Sequence, residues 1–312
     1  MSAERLVSAV MKRWTGWWNP RIDPDRLDRA GQLFVLAATA DVIRKVRWLR
    51  QTETPPALRS SFGPLRALGI GRLGRPALDL LFASVVGLGV LTIAIPSRHR
   101  RVGFFGLGVT YGWWHAEHFS YGVVSHASTS LVVALLAFSI APTHDSVGAE
   151  ASGWPLQIAS VHLAYLYLTA TWAKVHLVGL GWWHRGATEA GIALWGPHWA
   201  QHLAGAHLAV VHWGALLSMV AEPCVAVGLL FARTRRPAAV FAVAFHLAVL
   251  LLMNIDFVPM AACVAIVGWS GASGRRVENS EDRSGAADRR NPINNSVRAR
   301  MHSTPAHFTL VS

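Results

Sequence analysis

The chain is built from long apolar stretches separated by short polar segments rich in arginine. Five stretches approach the roughly 20 residues that a helix needs to cross the hydrocarbon of a bilayer. They lie near 77–96, 121–142, 154–178, 207–232 and 237–253. Three weaker ones lie near 30–47, 102–118 and 256–270. Their lengths and the lack of two-residue alternation favour helices over barrel strands. The pattern predicts an all-α, polytopic transmembrane helix bundle of six to eight spans.

Composition predicts the same class. Of 312 residues, 52% are hydrophobic and only 15% are charged, which is too apolar for an ordinary soluble domain. We therefore expect a multi-pass integral membrane protein in contact with the lipid bilayer, with residues 1–270 as its transmembrane domain. Residues 271–312 carry few large apolar side chains. They are predicted to form a disordered cytoplasmic tail.

The basic residues bear on orientation more than on a nucleic-acid partner. The formal charge is +12, but the arginines lie in connections and in the tail, so no nucleic acid is expected. Basic residues at 98–101, 233–236 and 275–276 all fall on one side, which the positive-inside rule makes cytoplasmic together with the C-terminus. The basic stretch 44–75 disagrees. Either the 30–47 segment does not cross simply or its loop breaks the rule.

Segment 30–47 itself carries charged residues, among them Asp41, Arg44 and Lys45. Three other segments are predicted outside the spans. The N-terminal cluster of Trp14, Trp17 and Trp18 fits a segment at the level of the lipid headgroups. The insertion 51–76 is expected to be a loop with a short surface helix. Segment 181–206, rich in Trp and His, is either an interfacial or re-entrant helix that caps a cavity or a plain amphipathic connector.

Lys174 is the most unusual polar residue of the spans, because it is one of only three lysines and lies inside the apolar stretch 154–178. An ionisable group within a bilayer is costly unless it faces a protein interior or a wet cavity. Arginine keeps its proton in proteins, whereas a buried lysine can lose it. We expect Lys174 to be a base, largely neutral, in a cavity reached from the membrane. The alternative is a lysine that snorkels to an interface or pairs with Glu222 or Asp256 for packing alone.

The helical repeat selects candidate neighbours of Lys174. At 3.6 residues per turn, Tyr167 and Thr171 share a helix face with Lys174. Glu222 and His246 lie within two other apolar stretches, where hydrocarbon would leave each polar group unsatisfied. Both are therefore predicted to point into the bundle.

Histidines also raise the question of a metal or a haem. His115 and His118 are one turn apart with Glu117 between them, but the order differs from the zinc-protease motif. Two histidines at this spacing often occur by chance, so no metal site is assigned. Axial haem pairs could be drawn from histidines on several spans, which equally can hydrogen-bond within a bundle. The histidines considered are His162, His212 and His246.

Several of these pieces, taken in order, carry a family resemblance. Tyr167-Leu-Thr-Ala-Thr-Trp-Ala-Lys174 is followed by Trp183-His-Arg-Gly186, and His126 precedes both at the head of an apolar helix. Later pieces are Glu222-Pro223, Arg235-Arg236, Phe245-His246 and Phe257-Val-Pro259. Over roughly residues 25 to 270 the combination resembles the horizontally transferred transmembrane (HTTM) domain, the membrane core of the vitamin K-dependent gamma-carboxylase-like family.

The resemblance implies a catalytic role for Lys174. In the animal carboxylases the matching lysine deprotonates reduced vitamin K, whose reaction with oxygen yields an epoxide and drives carboxylation of glutamate side chains. It also implies that His126 and His246 line the cavity and that a reduced quinone, such as vitamin K hydroquinone, is the cofactor. Two departures are clear. Thr171 stands where the family commonly has glycine, and nothing after residue 270 forms the large domain that holds protein substrates.

Three functions follow as hypotheses. The first is a carboxylase- or epoxidase-like membrane enzyme that uses a quinol or another lipid-soluble cofactor, with Lys174 as base. Its cavity or supporting residues would be Tyr167, Thr171, His126, Glu222 and His246. The second is a non-enzymatic membrane factor for maturation of a secreted peptide or partner protein, as in short bacterial members of the group. The third is a haem or ion-handling bundle. The resemblance to short bacterial members of the group implies a bacterial plasma membrane as the location.

Overall fold

The computed structural model describes residues 3–51, 63–69, 71, 73–120, 126–141 and 151–270, and this part of the chain is almost entirely helical. The tail predicted at 271–312 lies outside the described residues. The first helices are α1 (Ala3–Trp18), α2 (Pro24–Gln51), α3 (Gly63–Ala67), α4 (Arg75–Ala94), α5 (Arg100–Phe119) and α6 (Thr129–Ser139). The remaining helices are α7 (Trp154–Val178), α8 (Ala187–Trp195), α9 (His198–Ala206), α10 (Leu208–Leu230), α11 (Arg235–Met253) and α12 (Val258–Ser270). Two-residue strands β1 (Arg21–Ile22) and β2 (Ala151–Ser152) pair antiparallel.

Three of the described helices, α4, α10 and α11, are long and apolar enough to cross a membrane. They have 20, 23 and 19 residues, close to the length that a bilayer requires. The all-α prediction is confirmed, and these three helices are consistent with an integral membrane protein. The apolar segments at α6 and α12 also form helices, but shorter ones.

The stretch predicted as a span at 121–142 differs from the structure. Within the described residues the α-helix runs only from Thr129 to Ser139, after a 3₁₀ turn at His126–Ser128. Ser128 is fully buried against α2 and hydrogen-bonds to its charged side chains. Ser128 therefore contacts α2 from a 3₁₀ turn in place of extending the helix. Residues 121–125 and 142–150 lie outside the described part of the chain.

Helix α2 extends the weak apolar stretch at 30–47 in both directions. Its buried positions recur every three or four residues, as expected for one face of a helix packed on a core. They are Leu27, Ala30, Gly31, Phe34, Val35, Ala38, Asp41, Val42 and Lys45. Helix α2 thus belongs to the core, and two of its charged residues lie on the buried face.

Arginine contacts gather at one end of the bundle, which we call the arginine end. Arg100, at the start of α5, forms an ion pair with Asp28 of α2, and Arg235 of α11 donates to Gln157 Oε1 of α7 at 2.7 Å. The β1–β2 pair joins the beginnings of α2 and α7. The segments 98–101 and 233–236, predicted to share a side, therefore lie at the same end. Lys45 and Lys174 lie near the far ends of α2 and α7, at what we call the lysine end.

Small residues allow close helix contacts between α10, α11 and α12. A Cβ added at Gly268 would lie 2.3 Å from Ala239 Cβ, and one added at Gly228 would lie 2.7 Å from Ala238 Cβ. Neither distance is sterically allowed, so glycine is required at both positions. Such small-residue contacts are typical of helices that pack within membranes.

Three predicted peripheral segments can be compared with the structure. Helix α1 exposes the apolar side chains of Leu6, Val10 and Trp14, and its Trp17 Nε1 donates to the Leu230 carbonyl at the end of α10. The short helix expected within 51–76 is α3. Segment 181–206 forms a 3₁₀ turn and two short helices where one helix was expected, because Gly196 and Pro197 separate α8 from α9.

Candidate functional site

Helix α7 supplies three polar residues to one side of the bundle. Tyr167 is buried, and Thr171 and Lys174, one and two turns further along, are half-buried. This arrangement follows from the helical repeat, as predicted. Helix α10 runs antiparallel to α7 and presents Glu222 and Ser218 at the matching levels.

Lys174 Nζ contacts the carboxylate of Glu222. Nζ donates to Glu222 Oε1 and lies 3.5 Å from Ser218 Oγ. Thr171 Oγ1 donates to Glu222 Oε2 at 3.1 Å. The lysine side chain is 18% exposed and the glutamate side chain 8%. Each carboxylate oxygen therefore has a donor from α7.

A tryptophan covers the lysine from the connection after α7. The 3₁₀ turn Leu180–His184 places the Trp182 ring 4.8 Å from Lys174 Nζ, a distance at which the ring face attracts an ammonium. Gly179 and Gly186 flank this turn with φ of +85° and +80°. These angles favour glycine, so the sequence is suited to the sharp reversal that carries Trp182 back over Lys174.

One turn deeper, Tyr167 meets His246 of α11. The Tyr167 hydroxyl and His246 Nε2 are 2.6 Å apart, and the two rings stack with centroids 5.7 Å apart. Phe257 also packs against the His246 ring, and the two ring centroids are 5.2 Å apart. His246 Nδ1 has no hydrogen-bond partner among the described residues. We call the group of Tyr167, Thr171, Lys174, Trp182, Ser218, Glu222 and His246 the Lys174 centre.

Five of the six residues named from the sequence lie in this centre. Glu222 is 7% and His246 4% exposed, which confirms that both point into the bundle. His126 does not join them. It is exposed on the 3₁₀ turn before α6, where its carbonyl accepts from Thr129 Oγ1.

The contact with Glu222 is one of the two pairings named from the sequence as the alternative for Lys174. No acidic residue lies within one turn of Lys174 on its own helix, but the antiparallel packing of α10 brings Glu222 to it. The neutral amine stays a prediction.

A second group of buried polar residues lies at the same end and was not predicted as a site. Asp41 Oδ2 accepts from the Tyr111 hydroxyl at 2.8 Å and from Ser128 Oγ at 3.3 Å. Lys45 Nζ lies 3.0 Å from Asp41 Oδ1. His115 Nε2 lies 3.5 Å from Asp41 Oδ2. We call these five residues the Asp41 centre.

The sequence held a signal for this second centre. Asp41 and Lys45 stand four residues apart inside an apolar stretch, a spacing that places opposite charges side by side on a helix. Tyr111 and His115 repeat the same spacing on α5. What the sequence could not show is that the two pairs, from helices about 70 residues apart, face each other.

The two centres are neighbours. Fully buried Cys263 lies on α12, the helix that begins just after Asp256 and Phe257. Phe257, beside His246, directly follows Asp256, which contacts Arg44 and Lys45. The start of α12 therefore separates the Asp41 centre from the Lys174 centre.

The histidines considered for haem are not paired with one another. Each Nε2 already faces a protein group: Thr129 for His162, Glu189 for His212 and Tyr167 for His246. Within the described residues, no group of three or more His, Cys, Asp or Glu side chains is placed to hold a metal ion.

Comparison with known proteins leaves the geometry as the main guide to function. No protein-family model, no curated protein and no solved structure matches the chain.

Proposed function

We propose that this chain is an integral membrane enzyme that uses the Lys174 centre to take a proton from a lipid-soluble substrate of the quinol type. The observation that carries the proposal is the contact of Lys174 with Glu222 inside the bundle, next to the Tyr167–His246 pair. Ionisable residues held within apolar helices mark functional sites by default, since they are costly there.

The ion pair does not prevent a basic role. Transfer of one proton from Lys174 to Glu222 gives a neutral amine and a neutral acid, without leaving an isolated charge in a site of low dielectric. The amine can then accept the proton of a quinol hydroxyl, which leaves a quinolate and an ammonium. A base must be neutral before it accepts a proton, and Glu222 provides the means.

The surrounding groups fit an aromatic substrate with a hydroxyl group. Trp182 presents a ring face beside Lys174. His246 Nδ1, which has no partner among the described residues, can hydrogen-bond to a substrate. Thr171, which replaces the glycine common in the HTTM family, donates to Glu222. The threonine therefore holds the carboxylate, in addition to narrowing the approach to Lys174. Vitamin K hydroquinone is the reduced quinone that the family resemblance favours.

We further propose that the eight predicted stretches all serve as spans of one multi-pass bundle. Each overlaps a described helix, although α6 covers only part of the stretch 121–142. Arg100 and Arg235 lie at one end of that bundle, and Lys45 and Lys174 lie at the other. The positive-inside rule, applied to the basic segments 98–101 and 233–236, would make the arginine end cytoplasmic. Both lysine centres, and Arg44 of the discordant stretch 44–75, would then lie toward the outer face. The plasma membrane of a bacterium is the setting implied by the resemblance.

A second candidate function is a non-enzymatic factor that helps a secreted peptide or partner protein to mature. It is favoured by the closed contacts of Lys174 with Glu222, Ser218 and Trp182, which would also serve a purely structural pair.

The test uses the full chain in lipid nanodiscs and reduced naphthoquinone. Under anaerobic conditions the enzyme should convert bound quinol to quinolate, seen as a new absorption band, and should form quinone epoxide once oxygen is added. Lys174→Arg keeps the charge but cannot act as a base, so it should fold and bind quinol without forming quinolate. Lys12→Arg, on the exposed face of α1, is the matched control.

The two candidate functions predict different results. Quinolate formation by the parent and its loss in Lys174→Arg would support the enzyme. No quinol binding by the parent, or an arginine variant as active as the parent, would reject it and favour the maturation factor.

A further inference from the structure

The Asp41 centre is buried at its core but extends to the surface of the bundle. The side chains of Asp41 and His115 are 2% and 3% exposed, and Lys45 is 10% exposed. Asp256, which precedes α12, is 31% exposed. A chain of ionisable groups therefore leads from a dry position to an accessible one.

Asp41 has more hydrogen-bond donors than a simple ion pair needs. Oδ1 lies 3.0 Å from both Lys45 Nζ and an Arg44 nitrogen, and Oδ2 accepts from Tyr111 and Ser128. A carboxylate offers about four lone-pair sites. These four donors fill them, so His115 is not needed to satisfy Asp41.

The hydrogen bonds of Asp41 give no structural role to the His115 imidazole. Its Nε2 lies 3.5 Å from Asp41 Oδ2, and within the described residues neither ring nitrogen makes a well-formed hydrogen bond. The ring is held by edge contacts with Tyr111 and His118. A buried polar group without a partner calls for a functional reason, and imidazole exchanges protons near neutral pH.

Lys45 is placed to pass a proton between two carboxylates. Its Nζ lies 3.0 Å from Asp41 Oδ1 and 3.8 Å from Asp256 Oδ2. Arg44 also contacts both carboxylates, at 3.0 and 2.5 Å. Arginine does not release its proton in proteins, whereas lysine can. Arg44 can therefore hold the two negative charges together, and only Lys45 can relay.

We propose that the Asp41 centre, together with Asp256, is a proton relay that begins at His115 and ends at Asp256. Protonated His115 gives its Nε2 proton to Asp41. Lys45 gives one proton to Asp256 and takes the one held by Asp41. Each transfer breaks one N–H or O–H bond and forms another, and no electrons are exchanged. The net result is one proton moved from the interior to the surface, where water removes it.

Other polar groups lie beside this path on α2, α5, the turn before α6 and α12. They are Arg44 of α2, Tyr111 and His118 of α5, Ser128 of the turn before α6 and Cys263 of α12. With His115 neutral, the two basic and two acidic side chains cancel. A proton on His115 is then the only excess charge of this group, and it lies 3.5 Å from the Asp41 carboxylate to which it would pass.

The test follows protonation of His115 directly and needs no substrate, so it is independent of the function proposed for Lys174. The full chain, with isotope-labelled histidine, is placed in nanodiscs, and a light-activated acid lowers the pH. Time-resolved infrared spectra report imidazole protonation. The part of the histidine signal that disappears in His115→Gln belongs to His115.

Two matched variants then test the path. Lys45→Arg keeps the charge but cannot relay a proton. The His115 signal should therefore appear at least about tenfold more slowly than in the parent. Lys12→Arg, on the exposed face of α1, should leave the rate unchanged. Asp256→Asn, at a more exposed position, should also slow the signal, and it decides the matter if Lys45→Arg does not fold.

Thermal unfolding of each variant shows whether the fold is kept. A parent without a His115 signal would overturn the proposal. So would a folded Lys45→Arg or Asp256→Asn variant in which His115 is protonated as fast as in the parent.

Discussion

The two lysine centres contain the same kind of ion pair in different surroundings. The side chains of Lys174 and Glu222 are 18% and 8% exposed. The Thr171 hydroxyl contacts Glu222, and the Trp182 ring contacts Lys174. Lys45 and Asp41 are 10% and 2% exposed, and a second cation and a second carboxylate contact the pair. One centre is an isolated pair with aromatic neighbours, and the other is a network of charges.

This difference separates two uses of a lysine within apolar helices. In the isolated pair, one internal proton transfer removes both charges and leaves a base beside aromatic groups that can hold a substrate. In the network, each charge has two opposite partners. A group that takes up a proton there can pass it on and regain its charge. Burial alone would have ranked Lys45 above Lys174 as a base, and the neighbouring charges reverse that order.

The largest difference should appear when one carboxylate is neutralised. Asp41→Asn should lower the free energy of unfolding by about 3–5 kcal/mol. The buried Lys45 and its neighbour Arg44 would then share Asp256 as their single carboxylate. Glu222→Gln should cost less, since Lys174 is more exposed and can reach the interface. Equilibrium unfolding in mixed detergent micelles measures both. Equal losses would show that the two pairs are energetically alike.

The two lysine-to-arginine variants should differ in chemistry more than in stability. Lys174→Arg should lower the rate of quinolate formation by about 100-fold or more, since a general base contributes at least that much. Lys45→Arg should leave that rate within a few-fold of the parent. Stopped-flow absorbance in nanodiscs gives both rates. A larger loss in Lys45→Arg would move the base to the Asp41 centre.

The two tyrosines should show a smaller contrast. Tyr111→Phe removes one of several donors to the Asp41 carboxylate, and Tyr167→Phe leaves His246 without a hydrogen-bond partner among the described residues. Each should lower the free energy of unfolding by about 1–3 kcal/mol. The distinction lies in function, because only Tyr167→Phe is expected to weaken quinol binding. Unfolding and binding titrations on the same preparations check both.

Removing the tryptophan cover should affect one lysine alone. Trp182→Ala deletes a ring contact worth about 0.5–2 kcal/mol and opens the approach to Lys174. Labelling of Lys174 by a membrane-permeant amine reagent should become several-fold faster, whereas labelling of Lys45 stays at the parent rate. Mass spectrometry of the digested protein reads both sites. Faster labelling of both lysines would indicate general loosening of the bundle.

Deleting residues 271–312 should have the smallest effect. Their polar composition offers no apolar surface for a packed core, so neither centre is expected to depend on them. Thermal unfolding and membrane insertion of the truncated chain should match the parent. A large fall in melting temperature would contradict this.

Sequence periodicity accounts for much of the helical architecture. Apart from 121–142, the long apolar stretches coincide with helices, and the repeat of α7 puts Tyr167, Thr171 and Lys174 on one face. The cost of polar groups in hydrocarbon sufficed to turn Glu222 and His246 inward. These are local properties, set by side-chain chemistry and by 3.6 residues per turn, and they need no knowledge of the neighbours.

Contacts between helices could not be read in the same way. Register between α7 and α10 decided that Lys174 meets Glu222 and not Asp256. Packing of α2 against α5 and the turn before α6 assembled the Asp41 centre, shortened α6 and left His126 outside.

The sequence by itself therefore determined which segments are helical and which polar side chains must avoid lipid, because both depend on the chemistry of each segment. Only the tertiary structure decided which charges face each other. Helix packing brings together residues far apart in the chain, such as Asp41 and Tyr111, and no pattern along one helix encodes the register of another.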